Sequence, residues 1–140
     1  MIKASLCGVL LAVVAVYSAP AHAGPMGRLT DMPGDARRGQ AILSDMSRAS
    51  CLICHEIEGL DEKDQGQIGP PLRGIANVLS EAELRQRVVD ARVMNPDTIM
   101  PPYFSLDNLF RVAEDHRGKT IYSAQDVEDV VAYLKTLKGK

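Results

Sequence analysis

Cys51-Leu52-Ile53-Cys54-His55 is the segment around which the rest of this 140-residue chain organises itself. Two thiols separated by two residues and followed directly by a histidine form the attachment signature of c-type haem. The thiols reach the porphyrin vinyl groups as thioethers, and the histidine is held beneath the iron as an axial ligand. Three other readings compete. A structural zinc site needs four Cys or His ligands in paired spacing, and outside the motif the chain has only His22 and His116. A thioredoxin-like pair belongs near a βαβ pattern, and none is visible. A plain disulfide between Cys51 and Cys54 is the least demanding alternative. The context favours haem.

The first 23 residues read as an export signal. Lys3 is a minimal basic start, Ala4 to Val16 is an uncharged apolar run, and Ala21-His22-Ala23 supplies small residues for cleavage before Gly24. That divides the chain into a signal peptide over 1–23 and one monohaem domain over 24–140. The apolar run is too short to span a bilayer, so no membrane anchor is expected. Cys7 lies inside it and leaves with it. The mature chain then keeps only Cys51 and Cys54, and a haem consumes both thiols. Export and haem support each other, because bacteria attach haem covalently on the periplasmic side. The expected location is therefore periplasmic. Losing Lys3 moves the formal charge from −2 to −3, a weakly acidic surface without the basic field that nucleic acid requires.

Local patterns place helices on either side of the motif. Residues 24–34, rich in Gly, Pro and Met, read as a loose arm. Asp35 is a plausible N-cap, and Gly39, Ile42, Leu43 and Met46 recur at helical spacing as one apolar stripe. A glycine inside a helix costs roughly 1 kcal/mol against alanine, and one kept there usually lets another helix approach closely. The segment 56–67 is a polar loop. In Gly69-Pro70-Pro71-Leu72, the prolines stiffen the chain and offer carbonyls without N–H groups. Such a rigid carbonyl is what a ligating histidine needs on its other ring nitrogen, while Leu72 lies against the haem face. Ser80 with Glu83 forms a capping box. It opens a helix to about Ala91 with Leu84 and Val88 inward and Glu81, Arg85 and Arg87 outward. Residues 92–102 break regularity, and 106–117 have some helical character. Ser123 with Asp126 forms a second capping box, ahead of the strongest apolar stripe of the chain: Val127, Val130, Val131, Leu134 and Leu137. With two Phe and no Trp, the core is thin and calls for a bound group to complete it.

For the sixth iron position, Met100 sits in a proline-stiffened loop well downstream of His55. Met94 is the rival, and a loop methionine can also be a flexible core filler. His116, among Glu114, Asp115 and Arg117, reads as a solvated residue.

Cys51 to His55, Gly69-Pro70-Pro71-Leu72 and Met100-Pro101 together resemble the landmarks of class I cytochromes c. Gly39 and Tyr133 fall where that family crosses its terminal helices, over a coverage from about Asp35 to Leu137. The resemblance implies an all-α fold wrapped around one covalently bound haem c, with Pro70 accepting a hydrogen bond from His55. A narrower set of words is similar to the SoxX family. They are Gly118-Lys119-Thr120-Ile121, the run from Ala124 to Leu134, Asn95-Pro96 ahead of Met100, and Tyr103 behind it. SoxX is the small monohaem subunit of the SoxAX cytochrome complex of thiosulfate oxidation. That similarity implies an electron-transfer subunit of an L-cysteine S-thiosulfotransferase. Its catalytic cysteine lies on a SoxA-like haem partner and not on this chain. A carrier protein is reached through the partner, and a downstream protein accepts the electrons. A free-standing diffusible cytochrome c, or a haem enzyme or gas sensor with an open sixth site, are the alternatives.

Overall fold

The computed structural model describes residues 26–60 and 65–139; the export signal expected over 1–23, with Cys7, lies outside them, as do residues 61–64 of the polar loop. The architecture is all-α, as expected, and no strand occurs among the described residues. Among the described residues four helices carry it: α1 (Ala36–Ser44), α2 (Ile75–Val78), α3 (Glu81–Asp90) and α4 (Ala124–Leu134). Between them lie 3₁₀ turns at Met46–Arg48, Cys51–Ile53, Ala91–Val93 and Glu114–His116.

Each longer helix begins where the sequence supplies a cap. The Asp35 carboxylate accepts from the amides of Arg37 and Arg38 at 2.8 and 3.0 Å. Ser80 with Glu83 and Ser123 with Asp126 form reciprocal capping boxes. Asp45 ends α1 in extended backbone and caps the next 3₁₀ turn. That stop takes Met46 off the apolar stripe, contrary to the sequence expectation, and leaves it 67% exposed.

α1 crosses α4 at Gly39, where a β-carbon would drive into the Asp129 carbonyl and lie 3.0 Å from Val130 N. The glycine is therefore kept for close approach. Its contact is at Asp129, about one turn before the buried Tyr133. Leu43 of α1 and Val127, Val130 and Val131 of α4 fill this contact and are almost fully buried. The Asp129 carboxylate is buried with them. It accepts from Asp35 N at 2.8 Å, from Arg38 Nε at 2.7 Å and from Gln125 Nε2 at 3.0 Å. Burial would raise its pKa, but the Arg38 guanidinium and these N–H donors outweigh that and hold it below the usual carboxylate range.

α3 packs on α4, and Leu84 and Val88 face inward and are buried in the core, as expected. Arg85 does not point outward: it is 2% exposed. Its Nε and Nη2 donate to both oxygens of buried Glu128 at 2.7 and 2.9 Å, and Nη2 also donates to Glu81 at 2.8 Å. A charge this deep is held only because a bidentate partner reaches it from another helix. The same pair ties down the segment before α1. Leu29 N donates to Glu128 Oε1 at 2.9 Å, and Arg85 Nη1 donates to Met26 O at 3.1 Å. Met26 and Leu29 pack on the core. The loose arm of the sequence reading is, from Met26 onward, a strap across α3 and α4.

Residues 106–117 are irregular apart from Glu114–His116, so the weak helical expectation fails. Asn108 and Arg111 adopt left-handed backbone, with φ of 53° and 58°. Arg92 pins the loop by donating to the Asp107 carbonyl at 2.8 Å. Local backbone irregularity and a long-range tether override a poor periodic pattern.

Candidate functional site

The cysteines enter the site through a tight turn. Ser50 caps the Cys51–Ile53 turn, its Oγ accepting from Leu52 N at 3.2 Å and donating to Leu43 O at 2.7 Å. His55 N closes the turn onto Cys51 O at 2.9 Å. The Gly69–Leu72 segment is then laid alongside it. Gly69 N donates to Cys54 O at 2.7 Å and Leu72 N to Glu56 O at 2.9 Å.

This pairing fixes the histidine. His55 Nδ1 lies 2.7 Å from Pro70 O. A carbonyl only accepts, so Nδ1 is the nitrogen that donates, which leaves Nε2 of the neutral ring as the one with a lone pair. Gly69 lies flat against the ring, because a β-carbon there would collide with it. The expectation that Pro70 orients His55 thus has its geometric counterpart.

Cys51, Cys54, His55, Pro70, Leu72 and Met100 all line one cavity of about 500 Å³, within the ~300–1,000 Å³ of small-molecule and cofactor sites. Its walls come from both sides of the motif. Leu84, Val88 and Ala91 supply one wall from α3 and its end, Val130 and Leu134 another from α4, and Tyr103 and Tyr122 a third. The two tyrosines stack with centroids 4.6 Å apart. Met100 is half-buried in this wall, its backbone N held by Thr98 Oγ1 at 3.2 Å. Met94 is 40% exposed and does not line the cavity. His116 is exposed in its 3₁₀ turn.

The chemistry of the donors narrows what the cavity can hold. Cys51 and Cys54 are free thiols, which disposes of the disulfide alternative in this structure. Burial pushes the Cys51 thiol up to about 11, so it stays protonated and is poorly suited to binding an ion as thiolate. No cluster of three or more metal-ligating side chains occurs among the described residues. Among the described residues, two buried side-chain atoms lack a hydrogen-bond partner, Arg87 Nε and Tyr122 Oη, and both residues line this cavity. Buried polar atoms are normally satisfied. Two thiols, a lone-pair nitrogen, a thioether, an apolar lining and two orphaned donors therefore fit a large planar cofactor with a few polar groups.

A family model described as Cytochrome c matches residues 36–138. This chain belongs to the cytochrome c family. With Cys51 and Cys54 in C-x-x-C-H spacing, membership indicates one covalently bound haem c. The all-α arrangement, with terminal helices crossing at Gly39, is the class I cytochrome c fold. Among solved structures, a chain in the crystal structure of SoxXA from P. pantotrophus matches at 36% identity and a TM-score of 0.73. The match covers 80% of this chain and 88% of that one, and it supports a SoxX-type cytochrome. No curated protein matches significantly. No helix among the described residues is long and apolar enough to cross a membrane.

Several cavity residues escape the sequence reading as parts of the site, Tyr103, Tyr122 and Arg87 among them. Tyr103 entered only through the family resemblance, and Tyr122 not at all. Arg87 was placed outward, on the charged side of α3. Its spacing of three from Leu84 was the available signal, and its charge concealed it.

Proposed function

We propose that this chain is the periplasmic, monohaem electron-transfer subunit of a SoxAX-type L-cysteine S-thiosulfotransferase in thiosulfate oxidation. The observation that carries the proposal is the 36% identity spanning 88% of a chain from a SoxXA complex, on a fold whose cavity gathers both thiols, His55 and Met100. Residues 1–23 act as the export signal and 24–140 as the single haem domain.

In this reading Cys51 and Cys54 carry the haem, which when bound supplies a one-electron couple. His55 Nε2 and Met100 Sδ would hold its iron. Pro70 keeps the His55 tautomer, and Leu72 packs with the apolar wall that excludes water. With both cysteines spent, the mature chain has no sulfur nucleophile, and His55 is not free to act as a base. The thiosulfate-accepting cysteine therefore belongs to a SoxA-like haem partner, through which the carrier protein is reached, and a downstream protein takes the electrons.

The test supplies purified mature protein with thiosulfate, an electron acceptor and a cysteine-bearing carrier, then weighs the carrier by mass spectrometry. No conjugate is expected from this chain alone, and a thiosulfate-sized adduct is expected once the SoxA-like partner is added. An adduct made by this chain alone contradicts the division of labour. Purification of the native protein free of any haem-bearing partner favours the diffusible carrier instead.

A further inference from the structure

Two patches of large apolar side chains face water. One belongs to the haem cavity, where Ile68, Val78 and Ile99 are exposed members of the lining. The other lies in the loop 106–118, where Leu106, Leu109 and Phe110 are 45%, 38% and 83% exposed. With Val112, Arg111 and Arg117 they line a groove of about 390 Å³. None of these residues lines the haem cavity, so the cofactor does not account for them.

The loop is held in this shape. Asn108 and Arg111, on either side of Leu109-Phe110, take left-handed backbone, a region that residues with side chains rarely adopt. Arg92 grips both oxygens of Asp90 at 2.8 and 2.7 Å and donates to the carbonyls of Asp107 at 2.8 Å and Asn108 at 3.4 Å. A groove fixed in this way costs less ordering when it binds.

Its charges narrow the occupant. Both charged residues of the lining are arginines. They are exposed, and neither closes on a carboxylate among the described residues. Arginine beside aromatic and aliphatic side chains is the composition of protein interfaces, and the guanidinium fork matches a carboxylate. A two-fold contact with a second copy would set this patch against itself, arginine to arginine. A concave groove with two cations, on a chain of formal charge −2, suits an inserted side chain better than a flat anionic bilayer. So exposed a phenylalanine favours a lasting interface over a brief encounter, because lasting interfaces are the more apolar.

We propose that the 106–118 groove is a docking site for the haem-bearing partner subunit, which packs an apolar side chain against Leu109 and Phe110 and pairs a carboxylate with Arg111 and Arg117. The inference rests on the functional reading above and goes beyond it by placing a subunit contact on residues outside the haem cavity.

The experiment measures the affinity of the purified SoxA-like partner for haem-loaded wild type, Phe110→Ser, Arg117→Glu, Arg117→Lys and the exposed-site control Arg37→Glu. Intact mass, the haem spectrum and a thermal melt first establish that each variant is folded and loaded. Phe110→Ser and Arg117→Glu are expected to weaken binding roughly tenfold or more, Arg117→Lys to recover part of the loss, and Arg37→Glu to bind as wild type. If Phe110→Ser lowers the melt, Arg117→Glu decides. Unchanged affinity in Phe110→Ser and Arg117→Glu, beside a wild type that binds, overturns the groove assignment and leaves the functional reading standing. Wild type that binds no such partner overturns that reading, and this inference with it. Two further results also overturn the assignment. One is self-association of wild type in sedimentation, relieved by Phe110→Ser, with partner affinity unchanged. The other is flotation with phosphatidylcholine–phosphatidylglycerol vesicles, lost in Phe110→Ser, again with partner affinity unchanged.

Discussion

Where α1 crosses α4, each buried polar group meets a partner from the chain. Asp129 has Arg38, Gln125 and Asp35 N, and the adjacent Glu128 has Arg85 and Leu29 N. Around the cavity, the same chain leaves Arg87 Nε and Tyr122 Oη unpartnered and lines about 500 Å³ with largely apolar side chains. The crossing is complete as polypeptide. The cavity side is a surface shaped for something else, and the thiols that anchor it project from one turn. The difference separates what this sequence stabilises by itself from what it stabilises only with its cofactor, and mutations on the two sides should fail in different ways.

The largest effect belongs to the cavity side. Replacing both Cys51 and Cys54 with alanine should abolish mature haem protein, because the apolar walls then face each other across a void or water. Haem-stained denaturing gels check this, and normal staining of the double variant would remove the covalent attachment.

Next comes the crossing side. Glu128→Ala leaves the Arg85 guanidinium buried without its bidentate partner, a loss of the kind that costs roughly 3–5 kcal/mol. Denaturant unfolding of the holoprotein should show that loss while haem attachment persists. A pH series sharpens the assignment. Burial works to raise the Glu128 pKa, but Arg85 and Leu29 N outweigh it, and the folded value is lowered. Its stabilisation is therefore present above the unfolded glutamate pKa of about 4.3 and lost as pH falls through the folded value. The gap between wild type and variant should close on acidification. A gap independent of pH would mean the carboxylate charge is not what holds Arg85.

A smaller effect is expected at the residue directly after Arg38. Gly39→Leu must displace the Asp129 carbonyl, and overpacking of this kind costs roughly 1–3 kcal/mol. A thermal melt should fall with the haem spectrum unchanged. An unchanged melt would place Gly39 away from α4.

The two sides also differ in how much of them the sequence reveals. The caps at Asp35, Ser80 and Ser123 are local hydrogen-bond patterns and are legible at once. So is the Gly39 crossing, because a glycine on an apolar stripe has few other reasons to be there. The motif, the Gly69–Leu72 segment and Met100 are legible as chemistry. Arg85 is not, because its burial depends on Glu128, forty-three residues away, and helical periodicity assigns any charge to the solvent face. Arg87, half-buried beside the cavity, is hidden for the same reason. Met46 failed through a single capping residue, Asp45, which ended α1 two positions before the stripe did. Short-range rules read caps and apolar faces well. Buried charge is set by remote partners, and sequence periodicity carries no record of them.

The most direct test of the account is the reduction potential of Met100→His beside that of Met94→His, each measured on haem-bearing protein. Thioether ligation favours the ferrous state more than imidazole does, so replacing a ligating methionine with histidine lowers the potential. Met100 lines the cavity with His55, whereas Met94 lies outside it. The account predicts a substantial fall for Met100→His and little change for Met94→His. A large fall at Met94 with none at Met100 would contradict it.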